Sequence, residues 1–173
     1  MYMKAAIGQD SHRFEAAPDM PRAGSPAPTT PAPRPLVLGG VEFAGEPPLA
    51  GNSDADVVLH ALCNAISGIT GVNILGKIAD RMCLRDGITD SVEYVKEALK
   101  YLAGGRISHV SFSIECARPA INPRIMDMRE RIANILGVDV GCVCITATSG
   151  EGLTDFGRGL GIQVLCILTA MYG

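Results

Sequence analysis

Asp10-Ser11-His12, at the end of an N-terminal apolar run, and His60, inside a helical stretch, constrain this fold more than any other feature. In extended backbone, residues two apart point to the same side, so the Asp10 carboxylate and His12 imidazole can converge. For His60 to join them, a strand end has to pack directly against a helix. One carboxylate and two imidazoles are the ligand count of a Zn²⁺ site whose fourth position stays open. Two of the chain's three histidines fall in this set. The spacing alone fits equally well a strand that simply ends there and a histidine satisfied in the core. The remaining sequence has to decide between them.

The 173 residues suit a single domain spanning 1–173, with 47% hydrophobic and 19% charged residues. A net charge of −3 supplies no electrostatic drive toward nucleic acid or an anionic membrane. A polyanionic substrate would then be held by metals, backbone N–H groups and individual basic side chains. The six cysteines include no C-x-x-C pair, so they read as free, mostly buried thiols. The N-terminus lacks a signal-peptide core, and the apolar run Ile162–Tyr172 is too short for a membrane helix. The expectation is a cytoplasmic protein.

Lys4–Gln9 reads as a first strand delivering Asp10 and His12 at its end. Residues 16–35 hold seven of the eleven prolines, which predicts a surface loop with no catalytic role. A hairpin follows, Leu36–Leu38 with Val41–Phe43, turning at Gly39-Gly40. Ser53–Ile69 reads as a helix with Ser53 as N-cap and Asp56 three residues on. Val58, Leu62, Ala65 and Ile66 form its apolar face, and Asp56, His60 and Asn64 a polar stripe on which Asp56 could orient the His60 ring. Gly71–Gly87 reads as irregular. A second helix runs from about Asp90 to Leu102, a strand carries Val110, Phe112 and Ile114, and Asn122-Pro123 opens a helix that closes near Gly137. Cys142–Ala147 and Ile162–Met171 read as strands. The order implies an α+β two-layer sandwich: a mixed four-stranded sheet with helices on one face, plus the small hairpin.

Two segments look built for phosphate. Thr148-Ser149-Gly150-Glu151-Gly152 leaves a strand offering hydroxyls, free backbone N–H groups and one carboxylate, the kind of sparse protein ligation Mg²⁺ favours when it bridges phosphates. Gly157-Arg158-Gly159 adds a guanidinium among glycines, although tight turns alone explain such runs equally well. Asn52-Ser53, before the first helix, offers N–H groups to an anion. Arg118-Pro119-Ala120-Ile121-Asn122-Pro123 forms a rigid loop that could face a planar ring. His109, in an alternating strand without a metal-spaced partner, reads as structural.

Taken in order, Asp10-Ser11-His12, Leu38-Gly39-Gly40-Val41, Ser53-Asp54-Ala55-Asp56-Val57-Val58-Leu59-His60-Ala61-Leu62, Arg118-Pro119 with Pro123, and Ala147–Leu153 with Gly157-Arg158-Gly159 resemble the 2-C-methyl-D-erythritol 2,4-cyclodiphosphate synthases. The resemblance covers nearly the whole chain outside the proline-rich segment. It implies conversion of 4-diphosphocytidyl-2-C-methyl-D-erythritol 2-phosphate into the 2,4-cyclodiphosphate and CMP, in the non-mevalonate route to isoprenoid precursors. It further implies a homotrimer with active sites between neighbouring subunits. Zn²⁺ would lie on Asp10, His12 and His60, and Mg²⁺ or Mn²⁺ on Glu151. Catalytic roles would fall on Asn52 and Ser149. Contacts to the CDP-containing substrate would come from Ser53, Gly76, Asp80, Cys116, Ala117, Arg118, Pro119, Ala120, Ile121, Asn122, Thr148, Gly150, Glu151, Asp155 and Arg158.

The chain departs from the family pattern at several places. Asn52 stands where His is usual, Ser149 where Thr is usual, Ile74 where a ribose-binding Asp is usual, and Ala120 where Lys is usual. Ala79-Asp80-Arg81-Met82-Cys83 replaces a Phe-Pro-Asp-Thr-Asp loop. The alternatives are a zinc-dependent phosphate-ester hydrolase, which would want a general base, and a non-catalytic trimer keeping a structural zinc, for which Glu151 would have no use.

Overall fold

A computed structural model describes residues 1–15 and 34–173. Apart from Arg34 and Pro35, the proline-rich segment and the surface-loop reading given to it lie outside these residues. A four-stranded sheet is ordered β1 (Tyr2–Arg13), β6 (Gly161–Tyr172), β4 (Arg106–Glu115), β5 (Val143–Thr148). β6 runs antiparallel to both neighbours, and β4 pairs with β5 in parallel, joined by α4 (Ile125–Leu136) as the crossover. The expected mixed sheet is present. The expected hairpin forms as β2 (Leu36–Leu38) and β3 (Val41–Phe43).

One face of the sheet is covered. Along β6, Ile162, Val164, Cys166, Leu168 and Ala170 are buried while Leu165 and Ile167 between them are exposed, the period-two pattern of a half-covered strand. Helix α1 (Val57–Thr70) lies across β1 and β6 with Val58, Leu62, Ala65 and Ile66 fully buried, and α3 (Ser91–Leu99) packs on α1. The approach of α1 to β1 is close enough to require glycine. A Cβ on Gly8 would fall 2.1 Å from the Ala61 carbonyl oxygen and 2.3 Å from the Ala65 nitrogen. Gly8, Asp10 and His12 share the helix-facing side of β1, so this contact brings the strand's polar end to the helix.

Several boundaries differ from the sequence reading: β1 runs through Asp10 and His12 to Arg13 rather than stopping at Gln9, and α3 ends at Leu99 with a 3-10 turn over Lys100–Leu102. α1 starts four residues later than Ser53, because 53–56 make their own turns. Ala55 N–H donates to Ser53 Oγ (3.1 Å), Asp56 N–H donates to Asp54 Oδ1 (3.1 Å), and Ala55 takes a positive φ of 56°. Asp56 is therefore the cap, accepting from Val58 and Leu59 N–H. Asn122-Pro123 opens a 3-10 turn, Asn122–Arg124, ahead of α4, and no side chain caps α4. Within the segment read as irregular, Lys77–Asp80 is a helical turn (α2) continued by a π turn, Arg81–Arg85.

The Arg34 guanidinium pairs with Glu15 (2.6 Å) and donates to the carbonyls of Leu49 (3.3 Å) and Ser53.

Candidate metal centre and phosphate-binding edge

β1, β4 and β5 run in the same direction and end at one edge of the sheet. Asp10, Val164, Ile114 and Ala147 lie in a single register row across the four strands. At ordinary strand spacing, the end of β1 and the end of β5 are roughly 14 Å apart.

At the β1 end, Asp10 Oδ2 lies 3.0 Å from His12 Nε2 and 3.0 Å from His60 Nδ1, and the two ring nitrogens are 3.2 Å apart. One ligand atom from each residue falls within 4.8 Å of the others, the only such group of three among the described residues. The remaining nitrogens are engaged elsewhere: His12 Nδ1 is 2.7 Å from the Ala50 carbonyl and His60 Nε2 is 2.9 Å from Ser91 Oγ. Each ring thus has one nitrogen held from outside the cluster and the other facing Asp10 Oδ2, the orientation of a ligating imidazole once a metal displaces the inward proton. Burial pushes the Asp10 carboxyl upward, but hydrogen bonds and charge from both imidazoles outweigh it and hold it well below the ordinary range. The Asp10 hydrogen bond raises His12, against the effect of burial.

The cluster opens into a cleft of about 350 Å³ that also takes in Asn52, Ser53, Gly76 and Asp80. Gly51, Asn64, Leu75, Ala79, Cys83 and Tyr94 complete its lining. Ile74 faces away and is fully buried, so no side chain from that position reaches the cleft. His60 lies on α1 as expected but is buried, with Ser91 and Tyr94 of α3 against its ring. Asp56 does not orient it. The Asp56 carboxylate is spent on Val58, Leu59, Gly39 and Gly40 N–H groups, and burial pushes it up to about 6. Ser91 stands in the place Asp56 was expected to fill. Its spacing of 31 residues from His60 gave no sequence signal, because Asp90-Ser91 reads only as a helix start.

At the β4–β5 end, Cys116, Ala117, Pro119, Ala120, Ile121, Asn122, Thr148 and Ser149 line a second hollow of about 190 Å³. Burial raises the Cys116 thiol to about 11 and Cys63 to about 12, so neither is a ready thiolate. Beside it, Gly150, Glu151 and Gly152 all take positive φ (69°, 50° and 73°). A glutamate rarely holds that conformation, and here it presents the Glu151 carboxylate to solvent. Arg158 pairs with Asp155 at 2.6 Å. Asp155 joins Ser11, His12, Arg13 and Phe14 in a third cleft of about 480 Å³, and the Arg118 guanidinium lies 4.9 Å above the Phe14 ring. Most of the expected site residues are therefore distributed over separate hollows along one edge within a single chain, while Arg118, Gly150, Glu151 and Arg158 line none of the three. His109 is exposed and outside all three.

A family model described as the YgbB family matches residues 3–171. The chain belongs to the YgbB family. Curated relatives agree over nearly full length. A 2-C-methyl-D-erythritol 2,4-cyclodiphosphate synthase of Chlamydia trachomatis is 45% identical, over 97% of this chain and 88% of that one. One of Chlamydia felis is 46% identical, over 97% and 89%. Among solved structures, the bifunctional IspDF from Campylobacter jejuni aligns with a TM-score of 0.83 at 25% identity, covering 99% of this YgbB-family chain and 43% of the larger protein. The 2C-methyl-D-erythritol 2,4-cyclodiphosphate synthase of Plasmodium vivax shares the fold, with a TM-score of 0.76 at 20% identity over 99% of both chains.

Proposed function

We propose that this chain converts 4-diphosphocytidyl-2-C-methyl-D-erythritol 2-phosphate to 2-C-methyl-D-erythritol 2,4-cyclodiphosphate with release of CMP. The observation that carries this reading is the convergence of Asp10, His12 and His60 at the same sheet edge as the Ser149–Glu151 phosphate-type turn, in a YgbB-family chain. The substrate supplies its own nucleophile: a 2-phosphate oxygen attacks the β-phosphorus, a P–O bond forms, and the bond to the bridging oxygen breaks, that oxygen leaving on CMP. The protein's task is to fold the substrate back on itself and to balance charge.

The donor set and its outward-directed second nitrogens fit Zn²⁺, and a lone exposed carboxylate fits Mg²⁺ or Mn²⁺, which keep most of their waters. Zn²⁺ on Asp10, His12 and His60 would polarise a phosphate oxygen, and Mg²⁺ or Mn²⁺ on Glu151 would offset charge on the departing CMP. Asn52 and Ser53, at the cleft beside the cluster, offer N–H and hydroxyl donors to phosphate, with Asn52 donating one hydrogen bond but no charge. Ser149 offers its hydroxyl from the far end, beside Thr148 and the Gly150 backbone. Cys116, Ala117 and Pro119–Asn122 line the hollow proposed for cytosine, with Arg118 beside it over Phe14, and Gly76 and Asp80 border the cleft proposed for the erythritol. Arg158 pairs with Asp155, which borders the third cleft.

The reading includes a homotrimer with sites between subunits, and exposed Ile7 and Ile167, side by side on the outward sheet face, supply an apolar surface for association. The reading is of a cytoplasmic enzyme with a small-molecule partner, working with neither nucleic acid nor membrane. Among the described residues no helix is long and apolar enough to cross a bilayer. The test is phosphorus NMR of the products formed from the diphosphocytidyl substrate with Zn²⁺ and Mg²⁺. Cyclodiphosphate and CMP from the wild type, with neither from His60→Ala, is the expected result. Linear hydrolysis products would replace this reading with a zinc hydrolase.

A further inference from the structure

His60 is the one cluster residue whose outer partner is a side chain, and that partner leads to a second. Its Nε2 lies 2.9 Å from Ser91 Oγ. Ser91 in turn contacts Asp54 twice, its hydroxyl at Oδ1 and its backbone N–H at Oδ2 (3.0 Å). Ser91 is fully buried and His60 nearly so, which limits competition from water at the bond between them. The direction of each bond follows from the donor inventory. A carboxylate has no proton to give, so the single Ser91 hydroxyl proton goes to Asp54, leaving Ser91 Oγ only lone pairs for the ring. His60 Nε2 must then carry a proton, and Nδ1, which lies 3.0 Å from Asp10 Oδ2, is the nitrogen whose proton a bound metal would displace. Ser53 Oγ lies farther from Nε2, at 3.4 Å, and already accepts from Ala55 N–H. The corresponding bond of His12 goes to a backbone carbonyl, which no side-chain substitution removes.

We propose that Asp54 and Ser91 are positioning residues that fix the tautomer and ring orientation of His60 so that Nδ1 serves as the metal ligand. The proposal rests on the reading of Asp10, His12 and His60 as a metal site. Removing such an outer partner weakens metal affinity by about 10- to 100-fold in comparable sites.

Two measurements test it. In the zinc-loaded wild type, ring-nitrogen NMR should show a protonated Nε2 and a ligated Nδ1 on His60; a proton on Nδ1, or a ligated Nε2, overturns the proposal without any variant. Cobalt titration followed by visible absorption should give about 10- to 100-fold weaker binding for Ser91→Ala, with shifted band positions, and no binding at this site for His60→Ala. Wild-type affinity and unchanged bands in Ser91→Ala, alongside lost binding in His60→Ala, would remove the relay while leaving the metal site standing. A wild type that takes up no cobalt overturns both.

Discussion

At Asp56 one buried carboxylate accepts from four backbone N–H groups, two opening α1 and two in the Gly39-Gly40 turn of the hairpin. Asp56→Ala removes a helix cap, about 1 kcal/mol, and also strands buried donors at about 1–3 kcal/mol each. The expected loss is about 3 kcal/mol in urea unfolding, with Asp56→Asn losing less because it keeps an acceptor oxygen. Asp10 and His12 set a pH dependence in the metal-free protein. His12 titrates above its ordinary 6.5, so its contribution is complete below that value and is lost as pH rises through the raised one. Asp10 titrates below its ordinary 3.8, so its contribution is present above that value and is lost as pH falls through the depressed one. Metal-free stability should therefore peak between these ordinary values and decline on the alkaline side. Bound metal takes the place of the lost proton, so the rise in Tm on adding zinc should be larger at about pH 8 than at about pH 6.

The contact between β1 and α1 makes a prediction at the level of elements. Gly8→Ala drives a Cβ into the α1 backbone, and the rigid helix can answer only by moving off the strand that carries Asp10 and His12. We expect a loss of about 3 kcal/mol and, in whatever folded protein remains, weaker cobalt binding by titration, because His60 moves with the helix. The elements themselves were largely legible in the sequence, since the apolar positions of α1, α3, β4 and β6 recur at the period each element requires. The start of α1 was not, because Ser53, Asp54 and Asp56 are all good caps and only the turns within 53–56 select the last. The turns over Lys77–Arg85 are too short and too little buried to leave a periodic signal. Of the site, Asp10, His12 and His60 were legible because chemistry restricts which side chains ligate. Asp54 and Ser91 were not, since their roles depend on where α3 packs.

For the whole molecule, the open sheet face and the spread of site residues along one edge lead to the same expectation. Ile7 and Ile167 are cross-strand neighbours on the uncovered face, 63% and 53% exposed, and a charge between them should prevent close association. Ile167→Lys is expected to run as a monomer in light scattering, keep its cobalt affinity and lose turnover. If the two ends of each site come from different subunits, co-refolding the separately inactive His60→Ala and Glu151→Gln chains should restore about a quarter of wild-type activity, as random mixing of a closed trimer predicts; no recovery would place each site within one chain. The pairing of Glu15 with Arg34 bears on how this protein can be engineered. The backbone leaves the fold and re-enters it at residues whose side chains meet, so the segment between them bridges no more than the reach of those two side chains, and closure entropy changes only slowly with loop length. Residues 16–33 are accordingly the natural position for an affinity tag, a reporter domain or a short glycine-serine replacement, while Arg34, which also holds the Ser53 carbonyl beside the metal cleft, has to be kept.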